Sequence, residues 1–122
     1  MKSIIALFLS LALTAGGVAG FDKLVHDFGT VSQKDGELSC TFTFSNDSEE
    51  PVSIFAVISS CGCTDVTWTR EPIAPGAKGS VSATYSNDEG PYPFDKVLRV
   101  YTSSQKKPIV LHIKGVVKKN GK

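Results

Sequence analysis

Between Glu37 and Ser45 the chain alternates without a break: Leu38, Cys40, Phe42 and Phe44 interleave with Ser39, Thr41, Thr43 and Ser45. Successive side chains of a strand point to opposite faces, so this period of two predicts a strand with one buried and one wet face, Cys40 on the buried side. A helix would scatter the same residues around its circumference. The pattern recurs in weaker form. Leu24, His26 and Phe28 share a face in a first strand kinked at Gly29. Val81, Ala83 and Tyr85 share one in Gly79–Tyr85. Leu98 and Val100 point inward from a strand over Asp95–Thr102, with Val97, Arg99 and Tyr101 opposite. Ile109, Leu111 and Ile113 line a last strand, near whose end Gly115 is read as a bulge.

Val52–Ser59 is apolar on both faces, which predicts a central or doubly covered strand. Turn chemistry separates these runs at Ser32–Gly36, Asn46–Pro51, Glu71–Gly76, Ser86–Pro93 and Ser103–Pro108. Pro75-Gly76 suits the centre of a type II turn, since proline presets φ and glycine accepts φ > 0. About seven short strands and no helical stretch predict an all-β chain, an Ig-like β-sandwich. The inter-sheet bridge of antibody domains has no second cysteine here: Cys40 occupies the second strand, but Val97–Thr102 holds none.

The N-terminus reads differently. Met1-Lys2-Ser3 is a short positive segment, Ile4–Leu13 is apolar apart from Ser10, and Gly17-Val18-Ala19 fits cleavage after Ala19. This is the pattern of a secretory signal peptide over 1–19, too short for a comfortable membrane span. No cysteine follows it to accept a lipid. The expected product is a single domain over 20–122, exported to the periplasm or beyond, neither lipid-anchored nor membrane-spanning. Removing 19 of the 122 residues leaves 103, with the 13 basic side chains reduced by Lys2 to match the 12 acidic ones. A neutral domain lacks the electrostatic footprint of nucleic-acid binding. The lysines that follow Asp95, with no acidic residue among them, read as edge protection and tail.

Cys61-Gly62-Cys63, followed by Thr64, carries the chemistry. In an extended strand the two Cα atoms would lie roughly 6.6 Å apart at about 3.3 Å per residue, near the upper end of the about 4.4–6.8 Å that disulfides span. A Cys61–Cys63 bridge therefore needs a turn at Gly62 or sits at that limit. The alternatives are a bridge from Cys40 to either, closing a loop of about 20 residues worth roughly 3 kcal/mol, or a soft-metal half-site for copper or zinc completed by His26. His26 otherwise reads as a strand histidine bonded near Asp27, and His112 as solvent-facing. Trp68 and Tyr101 read as packing residues unless they pair on an exposed sheet face. Asn46-Asp47-Ser48 matches the glycosylation triplet. No nucleophile–base–orienter set, phosphate loop or carboxylate pair is visible, so no catalytic residues are expected.

Four motifs in order, His26-Asp27-Phe28-Gly29-Thr30-Val31, Thr41-Phe42-Thr43-Phe44-Ser45-Asn46, Ser60-Cys61-Gly62-Cys63-Thr64 and Ile73-Ala74-Pro75-Gly76, resemble a secreted bacterial family, domain-of-unknown-function family 1573. Its layout is similar to that of pilus-chaperone and cilium-associated Ig-like domains. The resemblance covers nearly the whole chain after the signal segment and implies an Ig-like fold and a cell-envelope setting, with no assigned activity or cofactor. Cys40 departs from the pattern. The reading that follows is a binding or assembly module with a protein partner in the envelope. The competing reading is a thiol-redox or copper- or zinc-handling protein built on Cys61 and Cys63.

Overall fold

The structure is a computed structural model that describes residues 20–119; the signal peptide expected over 1–19 lies outside the described residues. Seven strands follow one another: β1 (Val25–Ser32), β2 (Leu38–Ser45), β3 (Ile54–Ser59), β4 (Thr64–Trp68), β5 (Lys78–Tyr85), β6 (Pro93–Thr102) and β7 (Ile109–Lys118), with a 3-10 turn at Gln33–Asp35. They form two sheets, β1-β7-β6-β3 and β2-β5-β4. All pairs are antiparallel except β1 with β7. This is the predicted Ig-like β-sandwich.

The alternating runs supply the core. Phe42, Val81, Leu98, Val100, Leu111 and Ile113 are fully buried between the sheets, each side chain contributing about 1.5–3 kcal/mol of burial. The Pro75-Gly76 turn forms as expected: Gly76 has φ 80°, and the Ala77 N–H donates to Ala74 O at 2.9 Å. The ring of Phe94 stacks on Tyr85 with centroids 4.2 Å apart, which fixes the end of β5 beneath the site described below.

Two expectations change. β3 is an edge strand paired only with β6, not a central one. Its register slips between Ile54 and Ala56, and such a bulge exchanges the faces of the residues beyond it. Ile54 and Val57 both point inward, while Phe55 is 65% and Ile58 54% exposed. The bulge expected at Gly115 lies across the ladder, in β1 between Asp27 and Thr30, where Gly29 takes φ 74°. Gly115 stays in regular register with Phe94 and serves close approach: a Cβ there would lie 3.0 Å from the Phe94 ring and 3.1 Å from Gly29 O.

Asn46, the first residue of the Asn46-Asp47-Ser48 triplet, is buried in its loop. It is 1% exposed; its amide donates to Glu50 O and Ile73 O, both at 2.8 Å, and its carbonyl accepts from the Ser48 N–H and hydroxyl. In the folded chain the triplet is thus a loop clamp, its nitrogen engaged by carbonyls and closed to a glycan. Trp68 and Tyr101 stand on different sheets and do not pair; the Arg70 guanidinium covers the Trp68 ring, 4.0 Å from its centroid.

Candidate functional site

The crossing from β3 to β4 passes from one sheet to the other in four residues, and Cys61-Gly62-Cys63 makes the bend. Ser59 Oγ accepts from the Cys61 N–H at 3.1 Å and donates to Cys61 O at 2.9 Å. The Thr64 N–H closes the turn onto Cys61 O at 3.2 Å, and the Ser86 N–H ties Cys63 O to the end of β5 at 2.9 Å. The turn at Gly62 draws the two Cα atoms to 5.1 Å, and Cys61 and Cys63 are joined as a disulfide. That separation lies well inside the ordinary disulfide range, so the bridge is not stretched to the limit that an extended backbone would impose. Thr64 is buried and pairs with Tyr85 in the ladder; its hydroxyl lies 3.7 Å from Cys63 Sγ.

A bridge from Cys40 does not form, and Cys40 is a free, half-buried thiol. It sits opposite Ala83, which in turn faces Val66 across β5. Two interstrand steps of about 4.8 Å already exceed the roughly 7 Å reach of a disulfide, before the offset along β4 back to Cys63. Burial pushes the Cys40 thiol up, with Lys23 opposing.

The structure does not bring His26 to the cysteines. β1 and β3 are the opposite edges of their sheet, and the His26 ring instead takes Lys23 Nζ at 2.9 Å on Nδ1 and lies edge-on to Phe28. A lysine ammonium can only donate, so Nδ1 accepts and the ring is neutral. Burial and then Lys23 lower its pKa, with Asp27 opposing. His112 bonds Asp95 at 2.8 Å on the outer face of the sheet.

A residue that sequence patterning did not single out, Glu89, takes the place next to the disulfide. Its Oε2 lies 3.8 Å from Cys61 Sγ, a contact and not a hydrogen bond while that sulfur carries no proton. Its Oε1 accepts from the Tyr85 hydroxyl at 2.5 Å and from Lys96 Nζ at 2.9 Å. These two donors hold the Glu89 carboxyl below its usual range, while burial, and then Glu89 itself, push the Tyr85 hydroxyl far up. Glu37, Asp65, Asp88 and Glu89 line the cleft beside Cys61 and Cys63. Among the described residues, Cys61, Cys63 and Glu89 form the one group of three metal-competent side chains, with ligand atoms within 4.8 Å of one another.

A second feature lies along β3. Phe55 and Ile58 share the outer side of the four-stranded sheet with Tyr101 and Val110, which are 36% and 39% exposed. Arg99 stands between Ile58 and Val110 in the ladder, and Phe55, Tyr101 and Lys106 line one shallow depression.

Residues 19–117 match the family model described as "Protein of unknown function (DUF1573)". The chain belongs to this family. No curated protein matches it. Among solved structures, it is similar to a protein of unknown function from Porphyromonas gingivalis W83, at 17% identity and TM-score 0.67, over 86% of this chain and 50% of that one. It is also similar to an MSP-domain-like protein from Caenorhabditis elegans, at 14% identity and TM-score 0.54, over 72% and 92% of the two chains. The YadV chaperone is similar at 11% identity and TM-score 0.50, over 83% and 51%. The chain spans half the length of the Porphyromonas protein. These likenesses establish the shared sandwich fold. Among the described residues, no helix is long and apolar enough to cross a membrane.

Proposed function

We propose that this chain is an exported, non-catalytic binding or assembly module of the cell envelope, and that it takes up an extended segment of a protein partner along the free edge of β3. The observation that carries this reading is an unpaired strand edge with apolar side chains left in solvent. The Ser60 N–H donates to Val97 O, and the register runs on through Ile58–Arg99 and Val57–Val100. Hydrogen-bonded pairs alternate along an antiparallel ladder, so the amides of Val57 and Ser59 point away from β6. An added strand would take these groups, with Phe55 and Ile58 supplying side-chain contacts.

The other edges offer less. Residues 20–22 cover half of β2, the Asp22 N–H bonding Thr43 O and the Ser45 N–H bonding Gly20 O. β4 has only five residues and exposes Asp65 and Thr67, and β1 is broken by its bulge. Arg99 and Lys106 beside the apolar residues suit a partner segment that alternates apolar and acidic side chains. A disulfide between Cys61 and Cys63 is consistent with an oxidising compartment, which supports export.

A displayed peptide library selected on the immobilised chain tests the reading. Binders should alternate apolar and acidic residues and weaken at least about tenfold, roughly 1.4 kcal/mol, on Phe55→Lys and on N-methylation of alternate peptide amides. Binders that tolerate both changes would overturn the reading.

A further inference from the structure

We propose that Cys61, Cys63 and Glu89 form a redox-gated zinc site: closed as the disulfide, competent once the disulfide is reduced. The site is separate from the β3 edge and stands or falls without it. Its argument begins with the donor set. Two thiolates and one carboxylate are a borderline-soft combination that zinc accepts, with a fourth position left to water. The three donor atoms lie within 4.8 Å of one another, and donors around a tetrahedral zinc stand about 3.5–3.8 Å apart, so side-chain rotation suffices to close the set. The Gly62 turn holds the two cysteine Cα atoms at 5.1 Å in the bridged form, and its anchors at Ser59, Thr64 and Ser86 do not depend on the bridge.

Electrostatics decide between a metal and a thiol-exchange centre. A reactive thiolate needs electropositive surroundings. Here Glu37, Asp65, Asp88 and Glu89 line the cleft, and Lys96 is the cation paired with Glu89. Two bare thiolates beside these carboxylates are unfavourable; a divalent cation between them removes the conflict. Glu89 is also held in place for this task. Tyr85 and Lys96 both bind Oε1, which leaves Oε2, the oxygen 3.8 Å from Cys61 Sγ, turned to the sulfurs. Such support from behind a ligand commonly tunes metal affinity.

The gating step balances with an external dithiol as reductant. Its two thiols pass two electrons and two protons to the Cys61–Cys63 bond and become a disulfide, leaving two cysteine thiols. Zinc then displaces both thiol protons, so below the ordinary thiol pKa uptake releases about two protons per ion. Reduction opens a loop of only three residues, a constraint too short to hold up the sandwich.

The test uses the unaltered chain in both redox states. The chain is reduced with a phosphine, freed of it under exclusion of oxygen, and titrated with zinc against a chromophoric chelator, with proton release recorded in weak buffer. The reduced chain should take up one zinc with proton release, and the disulfide form none at the same concentration. Glu89→Gln should weaken uptake at least about tenfold, while Cys40→Ser leaves it unchanged. Equal zinc uptake by the two redox states, no uptake by either, undiminished affinity in the Glu89→Gln chain, or loss on Cys40→Ser would each overturn the site. The redox comparison needs no substitution, so it decides even if a variant folds poorly.

Discussion

Replacing Asn46 with alanine should cost this domain a large part of its stability although no catalytic or binding group is touched. The side chain is 1% exposed and makes four hydrogen bonds: amide to Glu50 O and Ile73 O at 2.8 Å each, carbonyl from the Ser48 N–H at 2.9 Å and the Ser48 hydroxyl at 2.6 Å. The two with Ser48 and the one with Glu50 are partly open to water, so each contributes only about 0.5–1 kcal/mol net. The bond to Ile73 O is buried, and a carbonyl stranded there costs about 1–3 kcal/mol. The sum is about 2.5–6 kcal/mol. With a urea slope of about 1.5 kcal/mol/M, the midpoint of equilibrium unfolding should fall by about 2–4 M. Asn46→Asp keeps the two bonds from Ser48 but turns a carboxylate toward two carbonyls, and should be at least as damaging at neutral pH. A loss below about 1 kcal/mol in Asn46→Ala would refute the clamp reasoning.

Other consequences follow from the same contacts. The His26 ring is held neutral by burial and by Lys23, so the unfolded chain binds more protons below its ordinary value of about 6.5. Stability is then full above that value and falls as pH drops from it toward the lowered folded value; His26→Gln should flatten the slope of unfolding free energy in that window, and an unchanged slope would contradict the assignment. Gly115→Val would push a side chain into the Phe94 ring and Gly29 O, an overpacking cost of about 1–3 kcal/mol. Thermal unfolding should show a fall of about 5–15 °C, and a melting temperature equal to that of the parent would show that β1 and Phe94 yield freely.

The sheets were legible where one face is wet. The strict alternation in β2 and the runs around Val81, Leu98 and Leu111 specify which side meets the core, and each inward residue is buried except Cys40, which is half-buried. β3 was misread because an apolar residue on either face looks the same whether a second layer or solvent covers it. The slip between Ile54 and Ala56, which turns Phe55 and Ile58 outward, has no glycine or proline to announce it. The cysteine pair was visible from its spacing, but its neighbour was not. Glu89 reaches Cys61 only because β5 pairs with β4 and carries the following loop to the bend, a tertiary fact with no local pattern. His26, the nearest guess for a third ligand, failed for the same reason: strand order, which the runs alone do not encode, puts it at the other edge of the sheet.

The central claim is that a partner strand adds to β3, and amide hydrogen exchange followed residue by residue tests it most directly. In the free chain, Val57 and Ser59 should exchange quickly while Ala56 and Ile58, bonded to β6, are protected. In complex with a selected peptide, Val57 and Ser59 should slow by at least about tenfold. Unchanged exchange at Val57 and Ser59, with protection appearing at another edge or at the Cys61–Thr64 bend, would contradict the account.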